Sequence, residues 1–461
     1  MNASRPRRVA VIDIGKTNAK VVVLDGEAGA EIAIRKTSNR VVAGPPYPHY
    51  DVEALWSFIL SALASFAEKP GYDAISITTH GASAALLDAE GQLAMPVLDY
   101  EHAYSADVVS DYAALRPAFS ETCSPALPGG LNLGAQLHYQ KTTFPEAFAR
   151  VGTILTYPQY WAFRLTGIAA NEVTSLGCHT DLWNPGEGRY STLLDRLGIG
   201  SLLAPVRSAF DVLGPMLPEV CEVIGLDTAV PVYCGIHDSN ASLLPHLVVR
   251  QPPFSVVSTG TWVICFAVGG DPAGLDPARD TLSNVDAFAR AVPSARFMGG
   301  REFEILTQGV AEPSPEAVEL AARAVIAKGV MVLPNAVEGS GPFPGRKGQW
   351  IGEPATDAER LAAASLYVAM MTAICLDLVK AAGPIIVEGP MTRNSAFLAA
   401  LASITGRDVM IDTEGGVSGT ALGAAVLAGV RPQKGHSTVV SSSLDIGSYV
   451  DRWRTTLASG V

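Results

Sequence analysis

The sequence predicts an α/β protein of two domains, and three observations carry that prediction. The chain has 461 residues, more than one hydrophobic core usually holds. Strand-like apolar runs alternate with segments of helical periodicity. A β-turn-β pattern rich in hydroxyls and glycine opens twice, at RRVAVIDIGKTNAKVVVLDG and at PFSVVSTGTWVICFAVGG. The boundary is placed near residues 240 to 252, giving domains of 1–245 and 246–461. The internal likeness is weak and is not a solenoid repeat.

Each element follows in order. RRVAVID and KVVVLDG read as strands joined by the short IGKTNA segment. Residues 54–68 carry apolar residues at helical spacing. DAISITTHG is a strand with polar residues at its end, from Thr78 to Gly81, where open α/β sheets place their chemistry. Residues 153–167 are a strand or turn feeding a helix, and 168–235 are loop-rich. In the second half, residues 359–380 form a long amphipathic to buried helix and PIIVEGP a strand. SAFLAALASITG is a helix closed by Gly406, and ALGAAVLAG a small-residue helix closed by Gly429.

Composition narrows the class. Apolar residues make up 48% of the chain, which argues against disorder. Lysine and arginine total 33 against 45 acids, for a formal charge of −12. That balance disfavours a nucleic-acid binder or a polybasic membrane anchor. No continuous apolar run approaches the roughly 20 residues of a membrane span. The basic N-terminus lacks a signal-peptide core. Six scattered cysteines form no CxxC and no zinc spacing, so a reducing cytoplasm is the expected home. The expected assembly is a monomer or homodimer.

Five segments could carry chemistry. The first is Asp13, Gly15, Lys16, Thr17, Asn18 and Lys20, an acid at a strand end followed by glycine, hydroxyl, amide and ammonium groups. Such a turn can present donors to phosphate oxygens, and Asp13 can hold Mg²⁺ through water. An ordinary hairpin uses the same residues, and the Walker A spacing is absent. The second is Ser258, Thr259, Gly260, Thr261 and Trp262, a turn of the same design. The third is the CGIHDSNA segment, in which Asp238 begins a small-residue helix. There it either caps the helix or accepts a proton from a bound hydroxyl.

The fourth is His80 and Gly81 with Tyr100, joined by Asn132 in a glycine-rich loop and by His102 and His138 as further candidates. His80 could donate to a hydroxyl, and Tyr100 could stack on an apolar ring face. The fifth is Glu388 to Asn394, then Gly415, Gly416 and Gly419, where glycine turns let a flat ring approach the backbone. Close helix packing explains the last part equally well. Residues 339–345, GSGPFPG, read as a flexible lid or rim. No Ser-His-Asp order, GxSxG, GxGxxG or HExxH is present.

Taken in order, IDIGKTNAK, ITTHGASAALLDAEGQLAMPVLDY, GIHDSNASL, STGTW and the terminal ALGAA helix resemble the FGGY carbohydrate kinase family over residues 8–430. GIHD followed by STGTW most resembles its L-fuculose and L-rhamnulose kinases. The resemblance implies a two-domain actin-like ATPase (ribonuclease H-like) fold with nucleotide in the interdomain cleft, closing to exclude water. It implies ATP and Mg²⁺ as cofactors and a small ketose as substrate, the alternatives being a kinase for another pentulose, tetritol, heptulose or sugar acid, or a non-enzymatic sugar- or nucleotide-responsive binding protein. Asp238 would be the base and Asp13 would organise the metal. His80, Gly81, Tyr100, Asn132 and His237 would line the sugar pocket. Thr259, Gly260, Thr261, Gly389 and Asn394, with the first turn, would hold the nucleotide. The chain departs from the family at Lys16, where relatives carry threonine, in VEGPMTRN, at Ser418-Gly419-Thr420 and at Tyr100-Glu101-His102.

Overall fold

The computed structural model describes residues 6–311, 313–412, 419–432, 437–440 and 444–459. The chain folds into two compact units. One comprises Met1–Arg250, Ser283–Ala291 and Gly415–Gln433, the other Gln251–Leu282, Val292–Glu414 and Lys434–Val461. A division at 245/246 makes each domain continuous, whereas two later segments return to the first unit. One of them carries the helix Gly419–Leu427, seated on the helix Asp238–Val249. Gly423 permits that seating, because a Cβ there would run into the backbone of Ala241.

The first unit is built on a twisted sheet. Its strands are β1 (Arg8–Ile14), β2 (Asn18–Asp25), β3 (Glu31–Ser38), β4 (Ala74–Thr79), β5 (Val212–Pro215), β6 (Pro231–Tyr233) and β7 (Ile236–His237). They lie in the order β5-β6-β4-β1-β2-β3, with β7 also paired to β4. β1 and β2 form the expected antiparallel hairpin, from Arg8 opposite Asp25 to Ile14 opposite Ala19. β4 runs parallel to β1, and β6 and β7 parallel to β4. β1 is buried along all but its first residue, as its unbroken VAVI run requires. The helix Val52–Glu68 covers the sheet with Leu55, Ile59, Ala62, Leu63 and Phe66, and Asp51 caps it by accepting from Ala54 N at 3.0 Å.

The second unit repeats the scheme. β8 (Phe254–Thr259) pairs antiparallel with β9 (Val263–Val268), and β9 with β10 (Ala291–Phe297). On its other side β8 is parallel to β11 (Ile385–Glu388), then β12 (Val409–Asp412), and β13 (Ser437–Val439) closes antiparallel. The paired hairpins seen in sequence therefore open two sheets of one design. The helix Asp357–Leu378 is long and apolar enough to cross a membrane, yet most of it is buried in this unit's core. Packing accounts for its composition, since each buried aliphatic side chain contributes about 1.5–3 kcal/mol. Gly406 closes the helix Ser395–Thr405 in the left-handed region, as expected.

The 339–345 loop differs from expectation. Asn335 Nδ2 donates to the carbonyls of Ser340 (2.9 Å) and Phe343 (2.6 Å), Asp280 accepts from Gly341 N (3.1 Å), and Arg279 Nε reaches Pro342 O (3.1 Å). With Ser340 and Gly341 buried, this segment is a pinned crossing instead of a lid.

Candidate active site

Three parallel strands end side by side in the first unit. Asp13 pairs with Thr78 across β1/β4, and His237 pairs with Thr79 across β7/β4. His80 N donates to Ile14 O at 2.8 Å, continuing the ladder past β4. Asp13, His80, His237 and Asp238 are therefore delivered by the carboxyl ends of neighbouring strands, the usual place for a site in an open α/β sheet.

Asp238 opens the helix Asp238–Val249 and accepts from Ser239 N at 2.6 Å. His237 Nε2 stands 3.1 Å from Asp238 Oδ1. Burial pushes the Asp238 carboxyl up to about 6, against a counter-pull from His80 and with help from the negative charge of Asp13. It is thus ionised at neutral pH and poised to take a proton. Burial pushes both His80 and His237 down to about 4, so both rings are neutral. Gly81 is needed for space: a Cβ there would lie 2.7 Å from His237 Nε2. His237 N donates to Thr174 Oγ1 at 3.0 Å, and Thr174 Oγ1 in turn donates to the buried Glu172 carboxylate.

His80 Nδ1 sits 2.9 Å from the carbonyl of Gly81, so Nδ1 carries the proton and Nε2 is an acceptor. Nε2 is buried and has no partner among the described residues. The ring is packed among Tyr50 (5.0 Å), Tyr157 (5.0 Å) and Tyr100 (5.6 Å). Asp13 Oδ2 is held by Lys20 Nζ at 3.2 Å and by Thr420 Oγ1 at 2.7 Å.

Four sequence expectations change. Lys16 was grouped with the phosphate contacts, but its ammonium pairs with Asp99, lies 3.3 Å from Tyr50 Oη and 3.4 Å from Glu101, and sits over the Tyr50 and Tyr100 rings. The carboxylates draw it away from its own turn. Asn132 was placed in the sugar pocket, but its amide is spent on the loop: Nδ2 reaches Ser124, Pro125 O and His179 O, and Oδ1 accepts from Leu127 N. Asn394 caps the helix Ser395–Thr405 through Phe397 N and donates to Ser365, leaving a capping role. His102 meets Tyr104 edge-on and Tyr139 at a tilt, and His138 lies near Tyr112, so neither joins the cluster above.

The remaining residues stand where the turns put them. Gly15 N bonds Asn18 O at 2.9 Å, leaving Thr17 and Asn18 exposed at the tip. In the second unit Gly260 N bonds Trp262 O at 2.9 Å and Thr261 is exposed. Thr259 Oγ1 donates to Glu388 O and accepts from Met391 N at 3.2 Å, tying this turn to Gly389, whose φ is 85°. Gly415, Gly416 and Ser418 lie outside the described residues. Asp99, Tyr50, Glu172 and Thr174 were missed. Asp99 stood beside Tyr100 in the quoted PVLDY segment, whereas nothing local marks Tyr50 or Glu172.

Two sheets of one design, each opened by a hairpin and extended by parallel strands, define a mixed α/β fold of the actin-like ATPase type. The chain belongs to the FGGY family of carbohydrate kinases: the family's N-terminal domain matches residues 9–245 and the carbohydrate kinase FGGY C-terminal domain matches 251–437. It is similar to L-fuculokinase of Salmonella typhi, 24% identical over 270 residues, 57% of each chain. It is also similar to rhamnulokinase of Oceanobacillus iheyensis, 25% identical over 265 residues, 54% of each. The chain thus spans a little over half the length of these curated relatives. Among solved structures, a carbohydrate kinase from Novosphingobium aromaticivorans is 38% identical with a TM-score of 0.91, covering 97% of this chain and 100% of that one. Plasmodium falciparum glycerol kinase with ADP shares the fold at 14% identity and a TM-score of 0.82, covering 98% of both chains.

Proposed function

We propose that this protein transfers the γ-phosphoryl group of ATP to a hydroxyl of a small ketose such as L-fuculose or L-rhamnulose, with Asp238 as general base. The observation that carries this reading is the ionised Asp238 beside His237 at the strand ends shared with Asp13 and His80. The names of relatives, L-fuculokinase and rhamnulokinase, support a ketose acceptor. Asp238 would orient the hydroxyl and take its proton. His80 Nε2 would accept from a second hydroxyl, and the Tyr100 ring would face the sugar's apolar side. Such transfer depends on alignment and charge more than on covalent chemistry.

The first unit would hold the sugar and base. The second would bind the nucleotide through Thr259, Gly260, Thr261 and Gly389, where backbone N–H groups can meet phosphates. Asp13 would hold Mg²⁺. Among the described residues no cluster of three or more His, Cys, Asp or Glu forms a cage, which suits an ion that keeps its waters and takes one carboxylate plus phosphates. When bound, the ion neutralises charge on the transferring group. The test is ADP release across ketoses, polyols and sugar acids, with the phosphorylated carbon read by NMR. Turnover confined to ketoses supports the reading. Turnover confined to sugar acids contradicts the acceptor class, and none on the whole panel contradicts the kinase reading.

A further inference from the structure

Lys16 lies in the first turn, and its surroundings do not suit a phosphate ligand. An ammonium has three N–H donors. Asp99, the Tyr50 hydroxyl at 3.3 Å and Glu101 at 3.4 Å stand within reach of them. Its lower face rests on the Tyr100 ring, 4.6 Å from the centroid, and on Tyr50 at 5.1 Å. Both rings also flank His80, whose buried Nε2 is a vacant acceptor among the described residues. Asp99 is itself fixed, accepting from Tyr50 Oη at 3.2 Å and from Glu101 N at 3.2 Å.

We infer that Lys16 is a specificity-determining residue of the sugar subsite, donating to a substrate hydroxyl from the Asp99–Tyr50–Tyr100 cup, and makes no contact with the nucleotide. This rests on the kinase reading above. The three contacts are unequal. Asp99 has a side chain only 9% exposed and stays paired, whereas Glu101 is 66% exposed and its hold on Lys16 is screened by water. The Glu101 contact is the one a hydroxyl displaces. Asp99 keeps the ammonium aimed, so the pair presents a donor beside the acceptor at His80 Nε2. A sugar with adjacent hydroxyls can satisfy both.

The test separates the two ligands. Mg-ATP affinity is measured without sugar by calorimetry, and KM is measured for whichever of L-fuculose, L-rhamnulose and L-xylulose the unaltered protein turns over best. Lys16→Met and, as a second variant, Asp99→Asn are compared after circular dichroism has established folding. Loss of a charged hydrogen bond predicts sugar KM raised about tenfold to hundredfold, with Mg-ATP affinity within about twofold of the unaltered protein. Glu101→Gln should change sugar KM by less than about threefold. Mg-ATP affinity weakened tenfold or more in Lys16→Met, or an unchanged sugar KM, overturns the inference alone. Absence of turnover by the unaltered protein on the whole panel of ketoses, polyols and sugar acids removes the kinase reading and this inference with it.

Discussion

Thr420 Oγ1 donates a 2.7 Å hydrogen bond to Asp13 Oδ2, joining the first strand to a helix 407 residues later. The bond adds to the apolar packing that returns a late segment of chain to the first unit, and it leaves Asp13 braced between a hydroxyl and Lys20. Thr420→Val keeps the shape and removes the donor. It should cost about 1 kcal/mol of stability and raise the Mg²⁺ concentration for half-maximal activity by roughly two- to tenfold. A Mg²⁺ titration of ADP release reads this directly. An unchanged Mg²⁺ requirement would separate Asp13 from the metal.

Asp238 is held up at about 6 against an ordinary 3.8. The folded protein therefore keeps a proton between those values that the unfolded chain releases. Stability falls as pH rises through that window, and the ionised carboxylate weighs against the fold at every higher pH. Asp238→Asn should raise the melting temperature at pH 8 and give no gain below pH 3.8. With the side chain 30% exposed, the expected gain is about 1–2 kcal/mol, a part of the full electrostatic figure. Thermal melts at both pH values check it. A variant less stable at pH 8 would mean that the carboxylate is held by favourable partners and its pKa is not raised.

With Asp238 as the proposed base, the same group should set the acid limb of activity. Turnover should fall tenfold per pH unit below about 6, because a protonated Asp238 cannot accept the acceptor's proton. His80 and His237, pushed to about 4, lie too low to shape that limb. A kcat/KM profile from pH 4.5 to 9 distinguishes them: activity that stays level through pH 6 and down to pH 5 would move the essential base away from Asp238.

Gly81 has a steric duty. A Cβ at this position would meet His237 Nε2 at 2.7 Å and Cδ2 at 2.9 Å. Gly81→Ala should displace the ring and, through it, the Asp238 carboxylate, lowering kcat more than tenfold. Crowding in a packed site costs about 1–3 kcal/mol, so the protein should remain folded. Circular dichroism with steady-state kinetics tests both halves, and unaltered kcat would show that His237 does not position the base.

Much of this architecture was legible in the chain. Periodicity located the hairpins, the long core helix and the glycine closures, because those signals are local and repeat along a few turns. Asp238 stood out since it follows a strand and opens a small-residue helix. Three side chains hold partners in their own fold for one physical reason. Lys16, Asn132 and Asn394 are polar residues in glycine-bearing segments, and sequence cannot say whether such a group faces a ligand or is spent on its own chain. Asp99 captures Lys16 from 83 residues away, Asn132 ties its loop to His179, and Asn394 caps a helix. The return of Thr420 to Asp13 depends on long-range topology that no window of sequence contains.

The most direct test is sugar-dependent ADP release by Asp238→Ala, assayed at pH 8 on the ketose the unaltered protein prefers, with folding and Mg-ATP affinity measured in parallel. General-base catalysis predicts a loss of roughly 10²–10⁴ in kcat with nucleotide binding retained. Turnover at the unaltered rate by a folded Asp238→Ala protein would contradict the assignment of Asp238 as the base.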